Sequence, residues 1–146
     1  MFMYLQKNKK GFTLIELMVV VAIIGILALL GLRLYTGQQT KAKESIVKAN
    51  AGTVQTLIQS ELADGNISDI GSLVSSWNDP EDDLHAGMRN PFDDTKDVCQ
   101  TAGNFDSAPT DGNGVVVVVE EATGTKYSIK GYGNGAWLPD TLTAQR

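Results

Sequence analysis

From Phe12 to Leu32 the chain runs for 21 residues with one charged side chain, Glu16, and apolar residues on every side of a helical wheel. At about 1.5 Å per residue this run is roughly 31 Å long as a helix, enough to cross a bilayer core. The pattern then changes. Between Leu32 and Leu62, Val47, Ala51, Val54, Ile58 and Leu62 recur at spacings of three and four, and Ile46 and Leu57 widen the stripe. Lys41, Lys43, Glu44, Lys48, Gln55, Gln59 and Glu61 fill much of the remaining surface. No proline interrupts either stretch, so the spacing predicts one helix from Phe12 to about Ala63, apolar all round at first and amphipathic afterwards. Asp64-Gly65-Asn66 ends it, because Gly and Asn adopt the left-handed conformation that closes helices. Such a helix extends roughly 75 to 80 Å, more than a compact domain of this size needs. The expected arrangement is a protruding apolar half (12–33) and an amphipathic half (34–64) laid on a globular head (65–146).

The head reads as α+β. Ser68 is placed to cap a short helix towards Trp77, with Ile70, Leu73, Val74 and Trp77 as its buried face. Residues 78–114 are rich in Asp, Asn and Gly and carry Pro80, Pro91 and Pro109, which predicts a long connection with little regular structure. Val115 to Val119 is a strand by its β-branched content, and Gly124 turns the chain into Lys126-Tyr127-Ser128-Ile129-Lys130, which alternates polar and apolar. Ala136-Trp137-Leu138 adds a short third strand. Helix on a small antiparallel sheet is the expected architecture.

Charge and chemistry narrow the function by exclusion. Twelve Lys and Arg against seventeen Asp and Glu leave a net charge of −5, so the chain has no general attraction for phosphate backbones and no direct nucleic-acid partner is expected. One cysteine, Cys99, cannot form an intrachain disulfide, and with a single histidine, His85, no His/Cys metal constellation can be built. Cys99 reads as a free thiol half buried in the head, with an intersubunit disulfide as the alternative. His85 reads as a surface or packing residue, since no Ser or Cys nucleophile motif accompanies it. Asp79, Glu81, Asp82, Asp83, Asp93, Asp94, Asp97, Asp106 and Asp111 read as solvated turn-forming acids, because no spacing among them matches an oxygen-ligand loop. No phosphate-binding loop is present either. Neither catalytic residues nor a cofactor nor a metal is expected, and the chain reads as no enzyme.

The N-terminus is the informative segment. Lys7, Lys9 and Lys10 precede the apolar run, and removing residues 1–11 leaves nine bases against seventeen acids. A basic start before an apolar run is the general form of a secretory signal, but the apolar stretch of an ordinary one is about 7 to 15 residues long and ends at a small-residue cleavage site, whereas this run has 21 residues. A plain membrane anchor fits the length and leaves Glu16 unexplained. A carboxylate in hydrocarbon is costly enough to be a functional candidate by default.

The stretch from Lys9-Lys10-Gly11-Phe12-Thr13-Leu14-Ile15-Glu16 to Ile26-Leu27-Ala28 resembles the class III signal and N-terminal helix of type IV pilins and pseudopilins. The resemblance implies cleavage by a prepilin peptidase between Gly11 and Phe12, N-methylation of Phe12, and residues 1–11 as a leader peptide. It implies a precursor in the cytoplasmic membrane that the pilus assembly machinery transfers to an extracellular filament of identical subunits. A minor pilin, or a secretion or competence pseudopilin that primes or tips a filament, is the alternative. Assembly residues carried over are Phe12 and Glu16. Their chemistry is consistent with that: cleavage leaves an α-amino group on Phe12, and in a low-dielectric bundle of helices neither this cation nor the Glu16 carboxylate is tolerated alone. Pairing one subunit's Glu16 with its neighbour's Phe12 amine neutralises both and restricts the axial register. Two features depart from the family pattern. Arg33 stands where many pilins have a proline, and the single cysteine forbids their C-terminal disulfide loop. The helix is therefore expected to stay continuous in the lone subunit, with any unwinding confined to residues 25–33.

Overall fold

The computed structural model describes residues 11–65, 67, 69–79, 81, 87–122 and 124–146. The basic leader, Ser68 and His85 lie outside the described residues. Helix α1 (Leu14–Asp64) runs unbroken for 51 residues. It passes through Gly25, Gly31 and Arg33 without interruption, because each glycine weakens a helix by only about 1 kcal/mol and no proline removes a donor. Gly65 ends it in the left-handed region at φ 72°, its N–H donating to the Leu62 carbonyl. The chain divides into two compact units, residues 1–38 and 39–146.

In the first unit every described residue is exposed. Phe12, Leu14, Ile15, Leu17 and Met18 begin a run of large apolar side chains in contact with solvent that continues to Tyr35. None of these side chains is packed into a core of the subunit.

The second unit contains the rest of α1, helix α2 (Ile70–Asn78) and four strands, β1 (Cys99–Ala102), β2 (Val115–Ala122), β3 (Lys126–Gly133) and β4 (Ala136–Gln145). The α1 stripe Val47, Ala51, Val54, Ile58 and Leu62 is buried as the spacing predicts, whereas Ile46, read as part of it, is 47% exposed. Asp69 caps α2, accepting from the Gly71 and Ser72 N–H groups at 3.1 and 3.0 Å and from the Ser72 hydroxyl at 2.7 Å. The Ser72 hydroxyl and these two amides hold its carboxyl below the usual range. Ile70, Val74 and Trp77 form the buried face of α2.

Two features of the sheet were not legible in the local pattern. Its order is β1-β2-β3-β4, and β1 pairs with β2 in parallel, Cys99 opposite Val116. The sheet is therefore mixed, and part of the connection read as irregular is a strand. β4 also extends through ten residues instead of three. Pro139 lies where the pairing with β3 shifts register, on an edge strand, which is where a sheet tolerates proline. Asn134 and Gly135, at φ 52° and 78°, make the two-residue turn between β3 and β4 that matches strand twist.

A parallel neighbour requires a crossover, and here residues 103–114 provide it. Its Phe105, together with Trp137 and Ala102, packs against Val115, Val117 and Val119 on one face of β2. Val116 and Val118 face the core shared with α1 and α2 on the other. All five valines are buried, as a strand covered on both faces requires. The short β1 is pinned at its outer edge by Asn78, which donates to the Cys99 carbonyl at 2.6 Å and accepts from the Val98 and Cys99 N–H groups at 3.1 Å each. Cys99 is fully buried, not half buried, at 1% exposure. Burial, reinforced by Asp97, pushes its thiol up to about 12, and the sulfur is removed from the surface at which an intersubunit disulfide would form. Asp79 and Asp93 act as turn-forming acids, accepting from the N–H groups of Glu81 and Thr95.

Candidate assembly site

The start of α1 is built by its own side chains. Thr13 immediately precedes the helix, and Glu16 is the third residue inside it. The Thr13 N–H and hydroxyl both donate to Glu16 Oε2, at 2.9 and 2.7 Å, while the Glu16 N–H donates to Thr13 Oγ1 at 3.3 Å. This reciprocal capping box satisfies two of the four amides that every helix leaves without a partner at its N-terminus. A carboxylate here also faces the positive end of the helix dipole. The Thr-x-x-Glu spacing before an apolar run is the sequence signal for this arrangement. Glu16 thus has a partner within its own subunit, Thr13, besides the intersubunit one expected from the sequence.

Phe12 is 90% exposed, and Gly11 is exposed with open space around its Cα. The peptide bond between them therefore lies outside the helix in irregular, accessible chain. Phe12 and Glu16 are near one another in sequence, but the Glu16 oxygen that accepts hydrogen bonds is occupied by Thr13, not by Phe12. Phe12, Ile15, Glu16, Val19 and Val20 line a shallow depression on the helix surface. Its walls are apolar apart from the one carboxylate. By length and composition, α1 is the helix among the described residues able to cross a membrane. A continuous apolar surface of this extent is foreign to soluble monomers and requires lipid or other apolar helices around it.

A family model for the prokaryotic N-terminal methylation motif matches residues 6–32. Fimbrial protein EcpB of Eikenella corrodens is 50% identical over 60 residues, 41% of this chain and 38% of that protein. Type IV major fimbrial protein FimA of Dichelobacter nodosus is 46% identical over 65 residues, 44% of this chain and 41% of its own length. In both, the matched stretch covers about four-tenths of the relative. Type IV major pilin protein PilE1 of Neisseria gonorrhoeae is 30% identical over 129 residues, which takes in 88% of this chain and 68% of the relative. No solved structure matches the chain. With the methylation motif on the apolar helix and a match to a major pilin that runs through the head, the chain belongs to the type IV pilin family.

Proposed function

We propose that this protein is a structural, non-catalytic subunit of a type IV pilus-like extracellular filament. Residues 1–11 act as a leader, a prepilin peptidase cuts between Gly11 and Phe12, and the new Phe12 amine is methylated. Residues 12–33 hold the precursor in the cytoplasmic membrane and afterwards form the filament core with the same segment of identical subunits. Residues 34–64 and 65–146 form the amphipathic support and the head, and the pilus assembly machinery moves the subunit from membrane to filament. The observation that carries this reading is the exposed apolar surface of α1 from Phe12 to Tyr35 with a capped carboxylate at its start. A bundle of such helices buries that surface, and a membrane does so before assembly.

Glu16 supplies the register in this scheme. The Thr13 donors both fall on Oε2, and a carboxylate has acceptor capacity beyond the two bonds it receives. A neighbour's Phe12 amine binds the same carboxylate without dismantling the cap. The pair acts as a register device more than as net stabilisation, since desolvation offsets much of the attraction. The test is filament yield from a strain producing only Glu16→Ala, measured by shearing and electron microscopy. At least a tenfold loss of filaments is expected, with the melting temperature of the purified subunit unchanged. Filaments at the normal level would refute the assembly role.

A further inference from the structure

Beneath the crossover of residues 103–114, between it and the outer face of the sheet, lies a cavity of about 140 Å³. That is roughly ten times the space a single water requires. Gln100 and Thr101 from β1, and Asn104, Ser107 and Thr110 from the crossover, form its polar wall. The half-buried Trp137 and Ala102 and the exposed Ala108 supply the apolar part. Trp137 forms near-perpendicular ring pairs with Phe105 and Tyr132, centroids 5.2 and 5.1 Å away, so its ring is held in place. None of the ten lining residues is charged, in a protein where one residue in five is.

That lining selects by chemistry. An anion would call for Lys or Arg and a cation for carboxylates, and neither is present in the wall. Amides and hydroxyls each offer both donors and acceptors, the complement of a ligand whose own groups are hydroxyls. A rigid indole beside them fits a ligand that also has an apolar C–H face. We propose that this cavity is a binding site for a neutral pyranose, stacked on Trp137 and hydrogen-bonded by the amide and hydroxyl side chains of β1 and the crossover. The proposal does not depend on the filament role, because every residue of the cavity lies in the second unit and none takes part in assembly as described above.

The test uses the full chain in a zwitterionic detergent without a sugar headgroup. D-Glucose, D-galactose, D-mannose and N-acetyl-D-glucosamine are titrated up to tens of millimolar and followed by calorimetry and tryptophan fluorescence. Trp77 is buried at 2% exposure, so a change on titration reports Trp137. Saturable binding of at least one sugar is expected, weakened about tenfold or more in Thr101→Val/Thr110→Val. Both threonines are exposed, and circular dichroism checks that the fold is kept. Should that pair fail to fold, Asn104→Ala at the exposed crossover gives the same readout. Absence of saturable binding by every sugar, or binding that these variants leave unchanged, overturns the proposal.

Discussion

Asn78→Ala tests most sharply how the head is held together. The Asn78 side chain replaces a missing fifth strand at the outer edge of β1, making three hydrogen bonds to the Val98 and Cys99 backbone. Each such bond contributes about 1 kcal/mol net, and a buried backbone group left without a partner costs about 1 to 3 kcal/mol. Part of the site is open to water, which re-satisfies some of these groups, so the expected loss is about 2 to 4 kcal/mol. The protein's one cysteine lies on the same strand, 1% exposed and with its thiol pushed up to about 12. In the native protein, reaction with a thiol reagent at neutral pH therefore waits for β1 to open. If opening is in rapid equilibrium, 2 to 4 kcal/mol speeds the reaction by about 30- to 900-fold, since about 1.4 kcal/mol is a factor of ten. The assay is labelling kinetics of the full chain in detergent alongside its urea midpoint. Gln59→Ala, at an exposed residue of α1, serves as the control and changes stability by less than about 0.5 kcal/mol. A labelling rate for Asn78→Ala within twofold of the unsubstituted protein would show that Asn78 does not hold β1.

Gly131 lies where β3 meets α1, and an added Cβ would stand 2.7 Å from Val47 Cγ1 and 3.0 Å from Leu138 Cδ1; Gly131→Ala should cost about 1 to 3 kcal/mol by overpacking, read from the urea midpoint. The Asp69 carboxyl is held below its ordinary value near 3.8 by the Ser72 hydroxyl and the Gly71 and Ser72 amides. A lowered carboxyl stabilises the fold fully above that ordinary value and loses its contribution as pH falls through the folded-state value. Asp69→Asn keeps a capping side chain and should flatten this part of the acid limb of the stability curve, and an unchanged limb would count against the cap. Ile58 is fully buried, so Ile58→Ala should lower stability by about 2 to 5 kcal/mol, whereas Ile46→Ala on the exposed side of the same helix should change it by less than about 0.5 kcal/mol.

What was legible in the sequence follows from the range of the interactions involved. The α1 stripe from Val47 to Leu62 and the α2 face of Ile70, Val74 and Trp77 are local periodicities, and both are buried where the spacing puts them. Glu16 stands out because a lone acid in an apolar run has few explanations, and its partner Thr13 is legible only as the first position of a Thr-x-x-Glu capping pattern. β1 was not legible, since Cys-Gln-Thr-Ala has no alternation of its own and becomes a strand by pairing with β2 and by the Asn78 clasp. The extent of β4 was obscured by Pro139, whose effect on a strand depends on whether it sits at an edge. The cavity beside Trp137 could not be read at all, because it exists only once the crossover has been laid over the sheet.

The central claim, that this chain is cut after Gly11 and built into a filament through Phe12, is tested most directly by intact-mass spectrometry of sheared extracellular filaments from the cells that make it. The account predicts a subunit that begins at Phe12 and carries one methyl group on its amine. A filament subunit that still begins at Met1, or filaments from which this chain is missing, would contradict it.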